Sequence, residues 1–144
     1  MHIARSVVIG KPIDEVFAFM AEPGNDPRWC AKVKTVEQVG GDQPGPGARY
    51  TVVHKPVPGR PARQMDHECV AWDPPRRIDW HEADGTDVIR VTYRLEDFGD
   101  STRVTQEDDA ELGAWSPLRP LYRAGISRDL ARQLKALKEI LEGS

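Results

Sequence analysis

Cysteine is scarce in this chain: Cys30 and Cys69 are the only two. Two thiols cannot build a disulfide framework, so a reduced, cytoplasmic protein is expected. No stretch approaches the ~20 consecutive apolar residues of a membrane helix, which excludes integral membrane association. Segment 1–10 has Arg5 in its middle and no long apolar run, so it does not read as a signal peptide. Basic charge has no surplus either. Twenty Lys and Arg face 23 Asp and Glu, a formal net charge of −3. Nucleic-acid binders usually carry a basic stripe, so no nucleic-acid partner is expected. Repeats, low-complexity tracts and long linkers are absent. At 144 residues the chain has the size of one domain, spanning 1–144. Any site then lies within that domain or between copies of it, in a monomer or a homodimer.

The common catalytic motifs are missing as well. There is no Gly-rich phosphate loop. The nearest approach to G-x-S-x-G, Ala124-Gly125-Ile126-Ser127-Arg128, lacks both flanking glycines in register. His67-Glu68 and His81-Glu82 each lack the second His of a zinc-binding H-E-x-x-H helix.

What is present is a soluble composition, 39% hydrophobic and 30% charged, punctuated by 12 Gly and 12 Pro. His2–Ile9 reads as a strand with Ile3, Val7 and Ile9 on one face. Pro12 suits the start of a helix, Asp14 and Glu15 suit its positive end, and Val16, Phe17, Phe19 and Met20 give it an apolar side. Pro23-Gly24-Asn25-Asp26-Pro27 breaks it, before a short turn carrying Arg28, Trp29 and Cys30. A meander follows: Val33–Val39, Arg49–Lys55, Arg63–Trp72, Arg76–Glu82, Asp87–Glu96 and Thr102–Leu112. Asp84-Gly85 is a strong hairpin signal, and Ile89, Val91, Tyr93 and Leu95 alternate cleanly with charged or polar residues. The tail changes period. Leu118, Leu121, Tyr122, Ile126, Leu130, Leu134, Leu137 and Leu141 recur every three to four residues. Arg119, Arg123, Arg128, Arg132 and Lys135 fall mostly between them. This is a long amphipathic helix with a basic opposite face, capped by Ser116-Pro117. The stripe must bury itself and one sheet face must be covered. The expected fold is α+β: a curved antiparallel sheet of about seven strands wrapped around a long C-terminal helix, with one or two short helices after the first strand. Such a layout leaves a cavity between helix and sheet, the kind of cleft that small-molecule sites prefer.

The same order of elements resembles the helix-grip fold of the START/Bet v 1-like (SRPBCC) superfamily, and the local sequence is similar to its polyketide cyclase/dehydrase and lipid-transport branch. The residues that carry the likeness are Ile9-Gly10-Lys11-Pro12-Ile13-Asp14-Glu15-Val16-Phe17, Pro27-Arg28-Trp29, Gly45-Pro46-Gly47-Ala48-Arg49-Tyr50, Asp73-Pro74-Pro75-Arg76-Arg77-Ile78 and Gly99-Asp100-Ser101-Thr102-Arg103-Val104. These are structural signatures. The resemblance implies a ligand carrier, a cyclase/dehydrase acting on a poly-β-ketone, or a factor that assists other proteins, and fold alone does not choose among them.

Strand phase selects the candidate site. Alternation puts Tyr50, Val52 and His54 on the inner face of their strand, Met65, His67, Cys69 and Ala71 on the next, then Ile78 and Trp80, and finally Thr102, Val104, Gln106, Asp108 and Ala110. The cavity wall then carries Tyr50, His54, His67, Trp80, Tyr93 and Gln106, with Trp29 at its mouth, and these are the expected ligand contacts. His67 or Asp108 would be the acid or base of an enzyme, since histidine exchanges protons near neutral pH and burial raises a carboxyl's pKa. Plain structural roles stand beside each: His54 in solvent at a strand end, His67 as an interior histidine, Tyr93 as a cross-strand packer, Trp29 under the second helix. Asp66-His67-Glu68-Cys69 resembles a metal cluster only in composition. Alternation splits Asp66 and Glu68 from His67 and Cys69, so neither a metal nor another cofactor is expected. The function that follows is binding of a small hydrophobic or aromatic molecule, polyketide- or lipid-like. The alternatives are a cyclase/dehydrase enzyme in the same cavity and a module that assists another protein.

Overall fold

The computed structural model describes residues 1–41, 44–56, 61–85, 87–111 and 119–143. Its elements follow the expected order: β1 (His2–Ile9), α1 (Ile13–Met20), a 3₁₀ turn (Pro23–Asn25), α2 (Asp26–Trp29), β2 (Val33–Gly40), β3 (Arg49–His54), β4 (Arg63–Asp73), β5 (Arg77–Ala83), β6 (Val88–Asp97), β7 (Thr102–Glu111) and α3 (Arg119–Glu142). All seven strands form one antiparallel sheet in the order β1-β7-β6-β5-β4-β3-β2. The meander β2 to β7 needs only local turns. β1 lies beside β7, at the edge opposite β2, so the chain between β1 and β2 must cross the sheet. That crossing is α1, the 3₁₀ turn and α2, and it places them over the concave face.

Helix α1 buries Ile13, Val16, Phe17 and Met20, the i, i+3, i+4, i+7 face of an amphipathic helix. The strands bury the phase that alternation expects: Tyr50, Val52 and His54; Ile78 and Trp80; Val91, Tyr93 and Leu95; and Thr102, Val104, Gln106, Asp108 and Ala110. At Asp84-Gly85 the glycine has φ +89°, a left-handed conformation that costs glycine little. The turn after β6 uses Gly99 at φ +81°, with its N–H donating to the Asp97 carboxylate at 2.8 Å.

Helix α3 lies along β1. Lys138 Nζ donates to the Val8 carbonyl at 2.7 Å, the Gly10 N–H donates to Glu142 Oε2 at 2.8 Å, and Arg5 Nε donates to Ser127 Oγ at 2.9 Å. Leu130, Leu134, Leu137 and Leu141 are buried, and the last three join the cluster that contains Val91, Tyr93 and Leu95. Arg123, Arg128, Arg132 and Lys135 are exposed, as the basic face requires.

Three sequence expectations change. Leu121 is 68% exposed rather than part of the buried stripe. It lies nine residues before Leu130, about 14 Å along the helix axis, beyond the packed turns. The Leu118 position, the Ser116-Pro117 cap and the Tyr122 side chain lie outside the described residues. A bulge between Cys69 and Ala71 shifts the phase of β4, so Trp72, opposite Ile78, takes the inner position and packs edge-on against Phe17 at 5.4 Å between ring centroids. Ala71 pairs instead with Asp79, on the convex side. A register shift between Val33 and Thr35 likewise brings Val36 opposite Val52, leaving Val39 56% exposed.

Asp79 is a buried charge on the convex face. Asp79 has no exposed surface and accepts from Arg77 Nε at 2.7 Å and Arg90 Nη2 at 2.6 Å. Burial pushes its carboxyl up, but the two guanidinium groups outweigh that and hold it below the usual aspartate range.

Candidate functional site

Sheet register assembles the site. Tyr50 is opposite His67, and His67 opposite Glu82, so one row of the concave face reads Tyr50, His67, Glu82 across β3, β4 and β5. The adjoining row is Cys69, Trp80, Val91, Asp108, and the next runs from Ile78 through Tyr93 to Gln106. The α1–α2 crossing faces these rows. Between them lies a small cleft that opens to solvent and has enclosed room for about one or two water molecules. Met20, Pro23 and Asp26 line it from the helical side, and Tyr50, Val52, His67, Trp80, Glu82 and Tyr93 from the sheet.

The cleft does not lie where the sequence pattern puts it. The expected cavity is between sheet and C-terminal helix, yet no described residue of α3 lines this one. Leu134, Leu137 and Leu141 fill the space beneath α3. Room remains under the shorter α1–α2 segment.

Aromatic rings form the walls. Tyr50 and Trp80 meet edge-on at 5.6 Å, and Trp29 stands edge-on to Tyr93 at 5.9 Å from behind the lining. Polar atoms are set among them. The Tyr50 hydroxyl and His67 Nε2 are buried and have no hydrogen-bond partner among the described residues, and the same holds for Trp29 Nε1 and Gln106 Oε1. A buried polar atom left unpaired costs roughly 1–3 kcal/mol, and two of these four, the Tyr50 hydroxyl and His67 Nε2, belong to residues that line the cleft.

Burial sets the charge states. His67 Nε2 lies 3.5 Å from Glu82 Oε1, but the two are no ordinary ion pair. Burial, with help from Lys32, drops the His67 imidazole to about 4, so it is neutral at pH 7. Burial lifts the Glu82 carboxyl to about 7 against the opposing pull of Lys32, Arg63 and His81. Asp26 is pushed well above the ordinary carboxylate range by burial and by the charges of Glu82 and Glu22. The Tyr93 phenol is also pushed up, first by burial. A carboxyl that titrates near neutrality beside a neutral imidazole can accept or return a proton.

The sequence-selected residues divide into two groups. Tyr50, His67, Trp80 and Tyr93 line the cleft together. Trp29, His54, Gln106 and Asp108 are buried but lie outside its lining. His54 stands perpendicular to His67 at 6.4 Å, and burial, then Lys32, lowers it to about 3. Gln106 Nε2 donates to Asp108 Oδ1 at 3.2 Å. Burial and the nearby Glu82 raise Asp108 to about 6, so it shares the electrostatics of the cleft without lining it. Cys30 and Cys69 are buried free thiols, both pushed up by burial. Both acidic lining residues escaped the sequence reading. Glu82 was legible, because it continues the two-residue period of Ile78 and Trp80. Asp26 carried no such signal, since it sits in a Pro/Gly-rich breaker without periodicity. Among the described residues no three His, Cys, Asp or Glu side chains converge as metal ligands. No helix there is long and apolar enough to cross a membrane.

A family model described as polyketide cyclase / dehydrase and lipid transport matches residues 1–142. No curated protein matches the chain. Among solved structures, the ZhuI aromatase/cyclase from Streptomyces sp. R1128 superposes with a TM-score of 0.80 at 14% identity, covering 99% of this chain and 93% of that one. The protein TTHA0849 from Thermus thermophilus gives 0.79 at 19% identity over 99% and 98% of the two chains. A START superfamily protein from Mycobacterium smegmatis gives 0.79 at 14% identity over 99% and 97%. These structural likenesses are likenesses of fold.

Proposed function

The chain belongs to the polyketide cyclase/dehydrase and lipid transport family, and from that premise we propose that it binds a small, largely apolar or aromatic molecule in the cleft between α1–α2 and the concave face of the sheet. The observation that carries this is the pairing of Tyr50, Trp80 and Tyr93 as apolar walls with the buried, unpartnered Tyr50 hydroxyl and His67 Nε2. Rings supply affinity by burial, and a few polar atoms set orientation. A module acting only through its outer surface has no use for such a lining. The test is calorimetric titration of the intact protein with naphthol, a flat aromatic with one hydroxyl. Saturable binding that weakens in Tyr50→Phe and His67→Phe supports the reading. Unsaturable binding, or binding that neither variant alters, refutes it.

One observation favours a second reading, a cyclase/dehydrase-type enzyme in the same cleft. Glu82 titrates at about 7 and lies 3.5 Å from a neutral His67. As a base its carboxylate would take a proton from carbon next to a substrate carbonyl; as an acid it would return one to the departing hydroxyl. Glu82→Gln would then lower turnover of a poly-β-keto substrate by about 10²- to 10⁴-fold, the usual effect of removing a general acid or base.

A further inference from the structure

We propose, on the basis of the ligand-binding reading above, that the cleft selects a small organic amine, its ammonium group held between Asp26 and Glu82 and its apolar body against Tyr50, Trp80 and Tyr93, and that it rejects carboxylates.

The lining contains two carboxyl groups and neither Lys nor Arg. They come from facing walls, Asp26 from α2 and Glu82 from β5. A group entering between them meets oxygen from both sides. The Tyr50 hydroxyl adds an independent acceptor: Tyr50 is 3% exposed, lines the same cleft, and its oxygen has no partner among the described residues. An ammonium has three N–H donors and no acceptor, which matches two carboxylates and a hydroxyl. Three aromatic rings complete the fit, since ring faces attract cations.

A carboxylate ligand meets the reverse. Its charge would be desolvated beside two acidic groups, with no cation in the lining to compensate. Burial first, and then repulsion from the charge of Glu82, already disfavours ionised Asp26. A cation between them relieves that repulsion, whereas an anion adds to it. The groups acting on Glu82 from its surroundings do not reverse this. Asp26 on α2 and Asp108 on β7 are acidic, and His67 on β4 is neutral at pH 7. Arg63, at the start of β4, is held by Asp84 at 2.9 Å; Lys32 and His81 are exposed and outside the lining. Amine binding shifts Glu82 to its charged form, so affinity should rise between about pH 5.5 and 8 while the amine itself stays protonated.

Three probes that share a phenethyl body and differ in the charge of the head group decide it: phenethylamine, phenethyl alcohol and phenylpropionate, titrated calorimetrically into the full chain near pH 7.5. The expected order is amine over alcohol by about tenfold or more, the scale of one charge-assisted hydrogen bond, with the carboxylate weakest. Glu82→Gln should erase most of the amine's lead over the alcohol. Where that variant does not fold, Asp26→Asn and the pH dependence of wild-type affinity give the same reading. Alcohol binding as tightly as amine, or carboxylate binding as tightly as either, overturns the inference and leaves the ligand-binding reading intact. An amine preference that survives both substitutions and does not vary with pH overturns it too. If none of the three probes binds, both the inference and the reading beneath it fail.

Discussion

His67 and Glu82 sit opposite each other on β4 and β5, Nε2 3.5 Å from Oε1, and burial has moved both away from their usual charge states. Exposed, they would attract each other as an ion pair at pH 5 to 6. Inside the cleft the imidazole is neutral there and the carboxyl largely protonated. The pair is thereby kept as a set of donors and acceptors rather than a closed salt bridge, and it remains available to a ligand.

Glu82 should give the protein an inverted pH signature. Its folded pKa of about 7 lies above the ordinary 4.5, so the native state binds more protons in that window and loses stability as pH rises through it. His54 and His67, lowered to about 3 and 4, act oppositely: their contribution is lost as pH falls below about 6.5. The two effects overlap, so the difference between wild type and Glu82→Gln is what isolates Glu82. Urea unfolding should show the variant gaining on wild type from pH 4.5 to about 7, by up to about 3 kcal/mol, with no further gain above. A flat difference would show that Glu82 titrates normally.

Asp79 should be worth more than its place on the convex face suggests. Asp79→Asn leaves Arg77 and Arg90 without their shared carboxylate and should cost about 1–3 kcal/mol at pH 7. Its folded pKa is depressed, so the stability it adds is present above pH ~4 and disappears as pH falls further. Denaturant titrations at pH 7 and pH 3 check both points; equal losses at the two pH values would contradict the assignment.

Leu134 is 1% exposed in the stripe that α3 turns inward. Leu134→Ala should cost ~2–5 kcal/mol. Leu121→Ala, 68% exposed on the same helix, should stay within about half a kcal/mol. Chemical denaturation of the two variants tests whether the sheet grips the C-terminal half of the helix. Similar losses would refute it.

Tyr50→Phe and His67→Phe each remove one buried polar atom that makes no hydrogen bond among the described residues. Folding should be unharmed, since no internal hydrogen bond is lost. Affinity for a hydroxylated aromatic should fall about 2- to 13-fold per lost ligand bond, the scale of 0.5–1.5 kcal/mol. Calorimetry with naphthol reads the affinity and thermal melting reads the fold. A large drop in melting temperature in either variant would make that residue structural.

Much of this architecture was legible because period-two alternation survives in β3, β5, β6 and β7, where every second residue is apolar or can be buried. It failed where a bulge reset the count: Ala71 gave its inner place to Trp72, and Val39 lost its own to Val36. Leu121 misled for another reason, since a periodic stripe shows which way a helix faces but not how far its partner extends. At the site, alternation supplied Tyr50, His67, Trp80 and Tyr93. Glu82 obeyed the same rule two residues beyond Trp80 but, as a charged residue near a strand end, did not look like a wall. Asp26 and the position of the cleft depend on how α1–α2 crosses the sheet. That is a tertiary relationship, and local spacing does not encode it.

Methyl and indole NMR during a naphthol titration would show where a small ligand enters the fold. Entry under α1–α2 should give saturable shifts at the Met20 and Val52 methyls and the Trp80 indole N–H, which belong to cleft-lining residues, while the methyls of Leu134 and Leu137 stay in place. Shifts centred on those leucines, or none that saturate, would contradict it.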